Sequence, residues 1–205
     1  ERGRLELDAT VARYWPEFAA EGKDRRTVRE LMAHKAGLPA VREPLPPDAQ
    51  FDWHRMCSAL AGQAPWWPPG TRHGYHVNTF GFLVGELVRR TSGRSLGNFI
   101  RAEIAGPLDA DFHIGLPEAE DARVATFDWP ESMRVIWPMS EEPDETERMV
   151  HNTYFNPPGL SGLGVVNTRE WRAAQIPSAN GHATARGIAR IYAALAAGGS
   201  LDGVR

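Results

Sequence analysis

The chain has 205 residues, a formal charge of −3 and one cysteine, Cys57. That length suits one domain, two at most, and a composition 42% hydrophobic and 24% charged is ordinary for a globular protein. The balance of charge leaves no basic excess to collect phosphates, which argues against a nucleic-acid partner. A single cysteine excludes an internal disulfide and a cysteine-based zinc site, and no apolar run approaches the roughly 18 residues of a membrane span.

In chain order, Asp8 to Ala20 reads as a helix with an Asp cap and Val11, Tyr14, Trp15 and Phe18 at helical spacing, ended or bent by Pro16. Thr27-Val28-Arg29-Glu30 is a capping box, and the short helix after it is expected to stop at Gly37, with Pro39 beyond. Residues 40–50 are Pro-rich and predict a loop. Phe51 to Gly62 predicts another helix. Trp66-Trp67-Pro68-Pro69-Gly70-Thr71 cannot be helical; its Pro-Gly pair predicts a turn in which the glycine supplies a positive φ. The strongest helix follows. Asn78 is placed to cap it, Phe80, Leu83, Val84, Leu87 and Val88 form its apolar face, Arg89 and Arg90 sit at its negative end, and Gly93 stops it. Ser95 to Ile104 predicts a further helix, broken at Gly106-Pro107. Residues 117–160 are acidic and irregular, the pattern of a long functional loop. Residues 183–197 predict an Ala-rich helix that buries Ile188, Ile191 and Leu195. Gly115-Leu116 and Leu163 to Val166 are weak strand candidates. The mostly helical, loop-rich pattern suggests half of an α/β enzyme.

Tyr75 stands on a loop at a helix N-terminus, where the positive end of the dipole favours a phenolate and suits a general base. A packed aromatic with a satisfied hydroxyl is the more ordinary reading of such a position. His73 and His76, three apart with no third ligand, make a weak metal pair, so no metal is expected. Asn78 fits a helix cap better than a substrate contact. Cys57 reads as a small buried hydrophobe. Ser178-Ala179-Asn180-Gly181-His182 is a polar turn that fits a cap or a ligand-facing loop. Trp66, Trp67, Trp129 and Trp137 fall in loops, where they could line an apolar cleft; the remaining tryptophans are expected in the core.

Several stretches together carry a resemblance. Leu7-Asp8-Ala9-Thr10 leads into Leu31-Met32-Ala33-His34-Lys35-Ala36-Gly37-Leu38-Pro39. Pro69-Gly70-Thr71 precedes Tyr75-His76. Phe80-Gly81-Phe82-Leu83-Val84-Gly85-Glu86-Leu87, Ala105-Gly106-Pro107-Leu108 and Ser178 to Arg186 follow. In this order they resemble the serine beta-lactamase-related superfamily, nearest to class C-like esterases and penicillin-binding-protein-like hydrolases. The resemblance implies an α/β (α+β) beta-lactamase/transpeptidase-like fold, of which residues 1–205 are the central, largely helical part of one catalytic domain truncated at both ends, with few strands. It implies a serine hydrolase that opens ester or amide bonds through an acyl-enzyme. A Ser in a Ser-x-x-Lys helix attacks, the Lys and a Tyr move protons, and no cofactor takes part. Tyr75 matches the family tyrosine and becomes the candidate catalytic residue. His76, common at its place in the esterase-like branch, joins Asn78, Trp66, Ser178, Asn180 and His182 as candidate substrate-binding residues. The expected partner is a small ester, lactam or peptide.

Three features depart from the family pattern. None of the eight serines has a Lys three residues on, the only lysines being Lys23 and Lys35, so the nucleophile is expected upstream of Glu1. The Asn often found two residues after the Tyr is Val77. The C-terminal Lys-Thr-Gly or His-x-Gly strand, which completes the oxyanion hole, is absent. The alternative is a catalytically inactive homologue that binds peptide or acyl ligands. The compartment is not legible from these residues.

Overall fold

The computed structural model describes residues 3–128, 139–201 and 203–204. Local chemistry sets most helix starts. Thr27 accepts the Glu30 N–H at 3.1 Å while the Glu30 carboxylate accepts the Thr27 N–H at 2.9 Å, the capping box expected, and it opens α2 (Val28–Met32). Asp52 caps α3 (Trp53–Gly62), and Ser95 caps α5 (Leu96–Ile100), which runs on as a single wide turn through Ala105. Two of the expected boundaries move. The first helix, α1, is only Val11–Tyr14, because Pro16 has no N–H to continue it and opens a 3-10 segment, Pro16–Gly22. Asp8 does not cap it but grips Arg29 with both carboxylate oxygens, at 2.7 and 2.9 Å. Helix α2 stops at Met32, well short of Gly37, and the chain reverses at His34, whose φ of 57° is left-handed.

Helix α4 (Thr79–Ser92) is the spine. It ends at Gly93 with φ 72°, and Arg89 and Arg90 lie in its last turn. Its buried face is Phe82, Leu83, Glu86 and Leu87 rather than the Phe80, Leu83, Val84, Leu87 and Val88 stripe. The rotation follows from Glu86. Its carboxylate receives hydrogen bonds from Trp53 Nε1 at 2.8 Å and from Arg89 and Arg90 at 2.7 Å, so a charge sits inside the fold fully paired, which apolar periodicity cannot anticipate. Around α4 packs one core that includes Trp15, Phe18, Leu31, Leu38, Met56, Leu60, Leu160 and Trp171. Cys57 is buried within it, its thiol pKa pushed up by burial. Buried Lys23 donates to the carbonyls of Ala20 and Gln63, tying the 3-10 segment to the end of α3; burial lowers its pKa to about 8.

The second half differs more from expectation. Strands β1 (Phe112–Ile114) and β2 (Gly181–Ala183) pair antiparallel, with His113 opposite His182. Neither coincides with Gly115-Leu116 or Leu163 to Val166, where glycines at positions 115, 162 and 164 take φ between 75° and 89° and break an extended run. The 117–160 stretch is not wholly irregular: Asp144 caps α6 (Glu145–Phe155). Helix α7 (Arg169–Ala173), capped by Thr168, was not foreseen. Helix α8 (Ala185–Ala196) forms as expected, but Ile188 is 43% and Leu195 66% exposed; only Gly187 is fully enclosed, against the backbone of Asp111. No helix among the described residues is long and apolar enough to cross a membrane.

Candidate active site

The segment that carries Tyr75 is built from both sides. The Pro-Gly turn forms as predicted, with Gly70 at φ 84° and its N–H bonded to the Lys35 carbonyl at 2.9 Å. Gly74 lies flat on the Trp67 ring, so close that a Cβ there would fall 2.5 Å from the indole. Immediately beyond, Tyr75 swings outward and is 67% exposed. It stands beside a groove of about 300 Å³ lined by Val77, Phe80, Val84, Leu96, Pro177 and Ser178. Gly81 forms the floor, where the chain at Pro177-Ser178 approaches α4 so closely that a Cβ would meet the Ser178 nitrogen at 2.7 Å. The Ser178 hydroxyl oxygen accepts the Gly81 N–H at 2.9 Å. Of the candidate site residues, this groove brings together Tyr75 and Ser178.

His76, the next residue, turns inward. Its Nε2 accepts the Leu38 N–H at 3.0 Å, and its Nδ1 lies 2.5 Å from the Gly74 carbonyl, which fixes the neutral tautomer with the proton on Nδ1. Burial drives its pKa down to about 4. With both ring nitrogens engaged and no exposed surface, His76 holds the loop and is closed to a ligand. His34 packs on the other side of the loop, its ring 4.3 Å from Phe80 and 5.0 Å from Tyr75 between centroids. Burial, and then the proximity of His73, lower its pKa also.

Three other candidates make their contacts within the fold. Asn78 occupies the cap position of α4 but makes no cap bond; its Nδ2 donates to the Thr153 carbonyl at 2.8 Å and to Ser161 Oγ at 3.0 Å, joining α4 to the end of α6. Asn180 accepts the Ile176 N–H and donates to the Trp171 and Ala174 carbonyls, all within 2.9 Å, and is buried. Trp66 donates to the Ala40 carbonyl and lies under the Arg42 guanidinium at 4.0 Å, away from the groove. Trp67 is buried against Gly74, so neither tryptophan lines the cleft; Trp129 and Trp137 lie outside the described residues. His182 belongs to a different cavity, of about 320 Å³, with Asp111, His113 and Arg123. Sequence reasoning missed His34 as part of the site. Its place in Leu31-Met32-Ala33-His34-Lys35-Ala36-Gly37 was the available signal, but its contact with Tyr75 is long-range.

An exposed phenol at the mouth of a half-open apolar groove, on a loop clamped by two neutral imidazoles, is suited to exchanging a proton with a reactant held there. Comparisons with known proteins place the chain in a family. A family model described as Beta-lactamase matches residues 1–204. The chain is 36% identical to Esterase/beta-lactamase LipL of Mycobacterium tuberculosis (strain ATCC 25618 / H37Rv), over all of this chain and 48% of that protein. A family VIII carboxylesterase crystal structure superposes with a TM-score of 0.84 at 40% identity, over 99% of this chain and 52% of the other. A penicillin-binding protein homologue from Caulobacter crescentus gives 0.82 at 43% identity, over 98% and 51%. The chain spans about half the length of these relatives. The fold is thus beta-lactamase/transpeptidase-like, and the chain, matched almost from end to end, belongs to the beta-lactamase family.

Proposed function

We propose that this chain is the largely helical part of a serine hydrolase of esterase type. It acts on small esters, and by the same chemistry on lactams or peptide amides, through an acyl-enzyme. The nucleophilic serine and its lysine lie on a segment outside residues 1–205, since no Ser-x-x-Lys occurs within them. Tyr75 is the acid–base group. As the serine oxygen attacks the carbonyl carbon, the serine proton passes to the Tyr75 phenolate, and the phenol so formed returns it to the departing alkoxide or amine. In the second half a water gives its proton to Tyr75, attacks the acyl-serine carbonyl, and the serine recovers the proton as the acid leaves. Val77, Phe80 and Val84 give the groove beside Tyr75 apolar walls, and Ser178, whose oxygen already accepts from Gly81, has its own O–H to offer a substrate.

The observation that carries this reading is the posture of Tyr75: exposed beside an open groove, yet on a loop whose neighbours Gly74 and His76 are both pinned. The relatives, an esterase/beta-lactamase and a carboxylesterase by name, support ester substrates. The test is Tyr75→Phe in the complete protein. Turnover of an activated ester is expected to fall about 10²–10⁴-fold with the fold intact, because only an exposed hydroxyl is removed. An unchanged rate removes Tyr75 from the mechanism. The other reading is an inactive homologue that binds peptide or acyl ligands; it predicts no turnover at all.

A further inference from the structure

We propose that His34 is the positioning residue for Tyr75, acting through its imidazole as a neutral hydrogen-bond acceptor; this rests on the acid–base role assigned to Tyr75. One residue, some forty positions away in sequence, touches each member of the Gly74-Tyr75-His76 tripeptide. The His34 carbonyl accepts the Gly74 N–H at 3.2 Å. Its Nδ1 accepts the His76 N–H at 3.1 Å. Its ring lies 5.0 Å from that of Tyr75, inclined by 49°, and is itself stacked on Phe80 at 4.3 Å and 27°. The two hydrogen bonds bracket the Tyr75 backbone from before and after, and the ring supports the phenol from behind. Phe80 belongs to α4, so the tyrosine is referenced to the helix around which the core packs.

The backbone supports the same assignment. His34 holds φ at 57°, a conformation a side chain other than glycine or asparagine adopts reluctantly. Glycine would fit the turn without strain, so the turn alone does not call for histidine. What the imidazole adds is the acceptor at Nδ1 and the ring face, and both are directed at the Tyr75 loop. The accepting Nδ1 requires the neutral ring, and the titratable groups facing it are His73, Tyr75 and His76.

The experiment compares His34→Gly, His34→Asn and Tyr75→Phe in the complete protein, with an activated ester as substrate. Glycine relaxes the turn and keeps the backbone bond to Gly74, so the variant is expected to fold. Its phenol, no longer held, should lower kcat about 100-fold with KM unchanged. Asparagine tolerates the left-handed turn and places Oδ1 as many bonds from Cα as Nδ1, so His34→Asn should recover most of the lost kcat. The ring resonances of Tyr75, identified by their loss in Tyr75→Phe, should shift or broaden in the glycine variant and return in the asparagine variant. This ring readout decides the matter even where turnover is lost for another reason. Wild-type kcat and unmoved Tyr75 resonances in His34→Gly would overturn the proposal, as would His34→Asn no better than His34→Gly. Full activity in Tyr75→Phe would instead overturn the role of Tyr75 itself.

Discussion

The histidine beneath the tyrosine loop gives the protein an acid-sensitive stability that can be calculated. His76 is neutral and enclosed when folded, with a pKa of about 4 against an ordinary value of 6.5. Between those two values the unfolded chain binds a proton that the folded chain refuses. The stabilisation is therefore fully present above pH 6.5 and is lost as the pH falls toward about 4. The gap corresponds to about 3 kcal/mol, a large part of the stability of an ordinary domain. His34 and His182, whose pKa values are also lowered, act in the same direction. The carboxylates act later: Glu86, where burial raises the pKa but the Arg89, Trp53 and Arg90 hydrogen bonds outweigh it, titrates only near pH 2. The assay is urea unfolding at intervals from about pH 7 to pH 4.5, for the wild type and for His76→Gln. Glutamine can still accept the Leu38 N–H but cannot titrate. The variant should be about 1–2 kcal/mol less stable at neutral pH, for the lost Gly74 bond, and should lose clearly less stability on acidification. Equal pH slopes for the two proteins would refute the assignment of a buried neutral imidazole.

Two further substitutions test the scaffold of the groove. Asn180→Ala leaves the Ile176 N–H and the Trp171 and Ala174 carbonyls without their partner inside the fold. It should cost about 3 kcal/mol, seen as a melting temperature about 10 °C lower; a change within error would show that these groups find other partners. Gly81→Ala would gain in an open helix, but its Cβ meets the Ser178 nitrogen at 2.7 Å and Pro177 Cβ at 2.9 Å. A net loss of about 1–3 kcal/mol is expected in chemical denaturation, and a more stable variant would mean that the Pro177-Ser178 wall does not press on α4 at Gly81.

How much of this could be read from the residues alone follows from the range of the interactions. The capping box at Thr27 and Glu30, the α4 stop at Gly93 and the Pro-Gly turn before Tyr75 were legible because each is decided within four residues. The inward face of α4 was not, because a glutamate can be buried when two arginines and a tryptophan arrive to meet it. Strand β2 escaped because its three residues are defined by a partner some seventy positions earlier. The site shows the same division. Tyr75 was singled out through its motif and position. His76, Asn78 and Asn180 sit in similar polar loops and looked equally able to meet a substrate. Whether a loop side chain faces the solvent or reaches back to buried backbone is settled by tertiary packing, and in all three cases it reaches back: His76 accepts the distant Leu38 N–H, Asn78 donates to the distant Thr153 carbonyl, and Asn180 donates to the Trp171 carbonyl nearer in the chain.

The most direct measurement is to trap the acyl-enzyme. The complete protein is mixed with a slowly deacylating ester or lactam, quenched, and weighed by mass spectrometry before and after peptide mapping. The expected result is one acyl group per chain, carried by a serine outside residues 1–205, and accumulating more slowly in Tyr75→Phe. An acyl group on one of the serines within these residues, such as Ser178, or steady hydrolysis with no covalent adduct at any time, would contradict it.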